Sequence, residues 1–216
     1  MTETIGFALL CFTSFFSLLN PLGVMPVFMT MTASLEEEER RLTAKKAMIA
    51  AFITLMVFAF SGQLLFAFFG ISVNSFRVAG GIIFFQMGSD MLQARLGTIK
   101  LPKEGVKEYV TDISITPLAI PMICGPGAIT NAIVLMEDAT TFDKKIILVS
   151  IVLAICLGTY WVLKMSTKIS KILGDAGNKV MMRLMGLILM VIAVEFFFSG
   201  LKPIVTDMFP KLAVGV

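Results

Sequence analysis

Leu19-Asn20-Pro21-Leu22-Gly23-Val24-Met25-Pro26 and Ile120-Pro121-Met122-Ile123-Cys124-Gly125-Pro126-Gly127 share one design. Each is an apolar stretch interrupted by prolines and glycines. Leu18, Pro21, Pro26 and Thr30 recur as Leu118, Pro121, Pro126 and Thr130, at a constant offset of 100 residues. Proline lacks a backbone donor and clashes with the preceding turn, so each stretch should cut a helix and free backbone polar groups. In hydrocarbon such groups cannot face lipid; they must meet protein, water or a ligand. One break alone reads as a proline kink used for packing. Two, in corresponding places of two halves, point to a transporter's binding site.

The compartment follows from composition. The 216 residues are 57% hydrophobic and 15% charged, with no histidine and a mean hydropathy of +0.90; a soluble domain carries about 25% charge. A span needs roughly 20 apolar residues. Six segments qualify: Ile5–Ala33, Ala47–Phe69, Phe76–Asp90, Ile113–Met136, Ile146–Leu163 and Val180–Gly200. The opening Met1-Thr2-Glu3-Thr4 has no basic region and no cleavage signal follows, so the first segment is expected to be retained. Residues 1–216 read as a single transmembrane domain.

Orientation follows from lysine and arginine placement. With the N-terminus outside, one side collects 13 of the 18 basic residues, among them Arg40, Arg41, Lys45, Lys46, Arg95, Lys164, Lys179 and Arg183. The other keeps Arg77, Lys144, Lys145, Lys202 and Lys211. Both termini are therefore expected outside, with Lys144-Lys145 the awkward pair. The net charge of +3 needs no nucleic-acid partner. Ser34 with Glu37 is expected to form a capping box, and Glu36/Arg40 and Glu37/Arg41 to pair at i, i+4.

The halves match beyond the breaks. Arg77-Val78-Ala79-Gly80 opens span three and Arg183-Leu184-Met185-Gly186 opens span six. Three spans per half force opposite orientations. The expected fold is all-α: six transmembrane helices as two inverted three-helix repeats, about 1–94 and 113–204, joined by a cytoplasmic loop 95–112. Spans one and four would be discontinuous at the bilayer midplane.

The breaks supply the candidate binding groups. Pro126 can begin a half-helix, so that the N–H groups of Gly127 and Ala128 meet a carboxylate at its positive end. Gly125 and Gly127 allow close approach to the backbone, and Thr130 and Asn131 add side-chain donors. Opposite them, Asn20 offers an amide oxygen, and Pro21 and Pro26 free carbonyls near Gly23. These acceptors suit an ammonium group or Na⁺. Asp90 and Glu195 hold near-equivalent positions; interfacial placement is favoured, with coupling to Na⁺ or H⁺ as the alternative. Cys11, Cys124 and Cys156 are isolated, and the partner that a thiol-redox conduit would need opposite Cys124 is Val24. No cofactor, resident metal or enzyme motif is implied. Gly80-Gly81 could pack helices within one chain or between copies.

The N-P-L-G-x-x-P run at Asn20–Pro26, the P-L-A-x-P-x-x-x-G-P-G run at Pro117–Gly127, Phe69–Ser72, Arg77–Gly81 and Arg183–Gly186 resemble the MarC family of six-span prokaryotic inner-membrane proteins, over nearly the whole chain. The resemblance implies a sodium- or proton-coupled transporter of small neutral amino acids such as glycine and alanine, with Asn20, Pro21, Pro121, Gly125, Pro126 and Gly127 as motif residues. An exporter of small metabolites or drugs is the alternative. A redox conduit or scaffold accounts for less of the sequence. The expected partners are the amino acid and the surrounding lipid, with a homo-oligomer possible.

Overall fold

The structure is a computed structural model that describes residues 2–93 and 106–208. Arg95 and most of the expected joining loop lie outside these residues. Every regular element within them is helical. The first span divides into α1 (Thr2–Leu19) and α2 (Pro21–Met31). Next come α3 (Glu37–Phe69) and α4 (Val73–Leu92). α5 (Val106–Ile113) widens into a π-helical stretch, Ser114–Ile123, and α6 covers Pro126–Asp138. Helical structure then runs from Phe142 to Met208, interrupted at Gly174 (φ 62°, ψ −176°). Its two apolar portions are α7 (Phe142–Ser166) and α8 (Lys179–Met208).

Among the described residues, four helices are long and apolar enough to cross a membrane: Glu3–Met31, α3, α7 and α8. A fifth candidate is the pair Glu108–Ile123 and Pro126–Asp138, bent by 64°. α4 contains the expected third span but carries Arg77 and Asp90, and does not join them. The outward surface is apolar: Phe60, Leu64, Phe68, Trp161 and Val191 are exposed. Thr32, Thr43, Ser114 and Thr159 are buried, and each donates its hydroxyl to a backbone carbonyl. Hydrocarbon outside and satisfied polar groups inside are what a bilayer solvent demands.

Several local expectations are corrected. α3 is capped by Glu36 instead of Ser34: the Glu36 N–H donates to the Glu39 carboxylate at 2.8 Å. Arg41 pairs with Glu38 at 3.1 Å. Arg40 donates to the Ala33 and Leu35 carbonyls, tying the turn after α2 to the start of α3 in place of an ion pair with Glu36. The awkward Lys144 is matched by Glu3 at 2.6 Å and lies 5.8 Å from the Phe7 ring centroid. The start of α7 therefore sits beside the start of α1.

Between apolar helices in lipid, association depends on close packing rather than on burial from water, and small residues permit it. α4 and α8 pack antiparallel along such a line. A methyl added to Gly81 would lie 2.8 Å from the Ala193 carbonyl oxygen, and one on Gly186 2.8 Å from that of Gly88. One on Gly200 would lie 2.6 Å from that of Asn74. On the other flank, a methyl on Gly80 would collide with Pro126 Cγ at 1.7 Å. Both Gly80 and Gly81 thus pack within the chain.

Gly186→Ala should therefore lower the thermal unfolding midpoint in detergent, with an overpacking cost of about 1–3 kcal/mol. Gly158→Ala, where a methyl meets nothing within 4 Å, should leave stability unchanged or raise it by up to about 1 kcal/mol. Equal behaviour of the two variants would contradict the α4–α8 contact.

Candidate binding site

At the first break Asn20 adopts a left-handed backbone (φ 42°, ψ 66°) and caps α2. Asparagine tolerates this conformation better than most residues. Its Oδ1 accepts from the Gly23 N–H at 3.1 Å, and its carbonyl accepts from the Val24 N–H at 3.1 Å. A methyl on Gly23 would stand 2.3 Å from Asn20 Nδ2, so the glycine clears room for the amide to fold over the helix end. Pro21 occupies the first turn of α2, where its missing N–H costs nothing to that helix. The same missing N–H leaves the Ser17 carbonyl without its usual helical donor.

The second break is built differently. Gly125 is extended (φ −66°, ψ 168°), Pro126 again opens the helix, and no side chain caps it. The Ile129 N–H reaches the Gly125 carbonyl at 3.0 Å. The N–H groups of Gly127 and Ala128 precede that first intrahelical bond and have no intrahelical acceptor. Upstream, the π-helical stretch departs from helical angles at Thr116 and Ile120, before the cis peptides to Pro117 and Pro121.

One cavity of about 230 Å³ joins the two breaks. Ser17, Asn20 and Gly23 line it from the first, and Gly125, Gly127 and Ala128 from the second. Its remaining walls come from α4, α8 and Met122, and are apolar: Phe84, Met91, Met185, Ile188, Ile192 and Phe196 among them. The glycines at 125 and 127 do permit close approach, and aromatic rings of the chain itself use it. A methyl on Gly125 would meet Phe84 Cζ at 2.5 Å, and one on Gly127 Phe196 Cζ at 2.5 Å. The two rings lie 5.8 Å apart, centroid to centroid. They press on the break and narrow the space beside it.

The cavity therefore has a polar seam in an apolar shell. The Gly127 and Ala128 N–H groups bring the positive end of α6 to it. Ser17, at the end of α1, brings that helix's negative end to it, and Asn20 lines the cavity from the same break.

A family description of MarC family integral membrane proteins matches residues 5–205. The chain belongs to the MarC family. Curated relatives carry the description UPF0056 membrane protein. One from Pyrococcus horikoshii is 41% identical over 94% of this chain and 98% of its own. One from Methanocaldococcus jannaschii is 38% identical over 90% and 95%, and one from Bacillus subtilis is 37% identical over 93% and 95%. No solved structure matches the chain.

In this MarC protein the cavity gathers Asn20, Gly23, Gly125, Gly127 and Ala128 from the residues expected at the site. Pro21 and Pro126 shape the helix starts and do not line it. Asn131 Nδ2 donates to Ser14 Oγ at 3.1 Å, fastening α6 to α1. The Thr130 hydroxyl is buried with no hydrogen-bond partner among the described residues, whereas its counterpart Thr30 donates to the Pro26 carbonyl at 3.0 Å. Asp90 is half-buried and Glu195 exposed, and neither lines the cavity. The thiols of Cys11, Cys124 and Cys156 are buried and free, and Cys124 Sγ donates to the Ala51 carbonyl at 3.1 Å. Ser17 was not among the expected residues, although its place four before Pro21 marks its carbonyl as one the break frees. Phe84 and Phe196 carried no such signal, because in an apolar span a cavity-facing ring looks like a lipid-facing one.

Asn20→Ala removes a cap and places alanine in a left-handed conformation; a loss of about 1–2 kcal/mol is expected. Asn20→Gly keeps the backbone at ease and should cost only a few tenths. Thermal unfolding of both variants checks this. Comparable large losses would show that the amide, rather than the backbone, holds the break together.

Proposed function

We propose that this MarC protein is a secondary transporter of small neutral amino acids of the glycine and alanine class, driven by an ion gradient. The observation that carries the reading is the single small cavity shared by the two helix breaks. A carboxylate would take the Gly127 and Ala128 N–H groups, where a helix N-terminus favours anions. An ammonium group would take the Ser17 carbonyl, with the Asn20 amide oriented by its cap. The apolar remainder, crowded by Phe84 and Phe196, favours an apolar side chain over a charged one. On this reading the chain moves a solute and converts none.

The proposed architecture is six spans in two inverted repeats, with α4 as the span that falls short in apolarity. Three features support it. Proline opens the second half-helix at both breaks. α4 and α8, the third span of each half, pack antiparallel. Lys144, on the side expected to be poor in positive charge, is neutralised by Glu3. The proposed setting is a prokaryotic inner membrane with both termini outside. Transport would proceed by rocking the halves about the cavity. The coupling Na⁺ or H⁺ would engage the acceptors at the first break, since Asp90 and Glu195 stand away from the cavity.

Export of small metabolites or drugs is the second reading. The mainly apolar wall, with Met91, Met122 and Met185, favours it, because methionine adapts to varied apolar solutes.

Proteoliposomes carrying a sodium or proton gradient should accumulate labelled glycine and alanine. Asn20→Gly should lower uptake at least tenfold while remaining folded, and Phe196→Ala should admit larger neutral amino acids as competitors. Absence of gradient-driven uptake by folded protein, with efflux of hydrophobic cations instead, would sink the amino-acid assignment in favour of export.

A further inference from the structure

A second concave site lies on the outer face of the bundle, between α3 and α7. Lys45, Met48 and Phe52 from α3 face Leu153, Leu157 and Tyr160 from α7 across a groove of about 360 Å³. On each helix these residues are spaced over two turns of one face, so the groove runs about 10 Å along the bundle. The helices are antiparallel here. A second hollow brings Phe60 and Gln63 of α3 beside Lys145 of α7, which sets Lys45 level with Tyr160 and Phe52 level with Leu153. The groove is therefore polarised: a cation and a phenol at one end, hydrocarbon along the rest.

The cation is free to act. Among the basic side chains at the start of α3, Arg40 is held by the Ala33 and Leu35 carbonyls, Arg41 by Glu38, and Lys46 by the Thr111 hydroxyl at 2.8 Å. Lys45 is exposed and has no hydrogen bond or ion pair among the described residues. Next to Tyr160 on α7, Trp161 is exposed, with Lys164 Nζ 4.6 Å from its ring centroid. Aromatic rings and lysines at one level mark the headgroup zone of a membrane protein.

We propose that this groove is a binding site for one anionic phospholipid, its phosphate at Lys45 and an acyl chain along Met48, Phe52 and Leu157. Charge complementarity selects this occupant. The apolar floor takes any acyl chain, but the unpaired ammonium at the headgroup level favours a lipid of net negative charge over a zwitterionic one. The proposal does not depend on what the central cavity carries.

The test uses the full chain purified in a neutral detergent and native mass spectrometry with phosphatidylglycerol or phosphatidylcholine of matched acyl chains. Wild type should retain one phosphatidylglycerol in preference to phosphatidylcholine. Lys45→Gln should weaken phosphatidylglycerol about fivefold, the effect of one lysine at an anionic surface, and leave phosphatidylcholine unchanged. Leu157→Trp, which fills the groove, should weaken both, while Lys145→Gln at the opposite end should change neither. Matched unfolding midpoints confirm that the variants are folded; Lys45→Gln alters only an exposed side chain and carries the test if Leu157→Trp does not fold. Equal retention of the two lipids by wild type, or wild-type retention by Lys45→Gln, would overturn the proposal. So would a dimer that persists without lipid and dissociates in Leu157→Trp, which would assign the groove to a second copy.

Discussion

Backbone N–H and C=O groups released where a helix is cut cannot be left facing hydrocarbon, where each costs several kcal/mol. The rest of this structure is arranged around that constraint. At the first break Asn20 meets it locally, with its side chain and carbonyl both accepting from the start of α2. At the second break nothing caps α6, and its first N–H groups stand at a cavity wall. The asymmetry matters chemically. The first break satisfies the start of α2 with its own asparagine and leaves the Ser17 carbonyl without its helical donor, and the second keeps donors available.

Packing determines where those donors can be reached. Gly80 lets α4 press against Pro126, and the Gly81–Ala193 and Gly88–Gly186 approaches bring α4 and α8 together. From that pair Phe84 and Phe196 reach across to Gly125 and Gly127. The glycines of the second break thus serve a steric purpose, as sockets for two rings. A change in how α4 and α8 sit would move the rings and alter the cavity without touching the break itself, which offers a physical route from helix motion to site shape.

The chain handles its charges according to where they stand relative to the bilayer. Glu3 and Lys144 neutralise each other. Arg40, Arg41 and Lys46 are spent on carbonyls, a carboxylate and a hydroxyl at the opposite end. Within the spans the polar side chains bond mostly to their own helix, as Thr13 and Ser61 do. Asn131 and Cys124 reach to neighbouring helices, and Thr130 is buried with no partner among the described residues.

Much of this was legible from the amino-acid order alone. Hydropathy located the long helices, because a bilayer requires unbroken apolar length. Proline and glycine located both breaks, because their backbone limits are local. The Asn20–Gly23 cap was not legible in this way, because the Asn20 amide oxygen, expected to meet a ligand, accepts from the Gly23 N–H in the structure. What needed the tertiary structure was everything set by which face of an apolar helix turns inward. Ile192 and Phe196 beside the cavity, and Val191 and Phe198 on the outer surface, are equally hydrophobic, and only packing against α4 and α6 separates them. The same reason hid Phe84 and Phe196 as the partners of Gly125 and Gly127. Local chemistry was written in neighbouring residues. The shape of the site was decided by contacts between residues far apart in the chain.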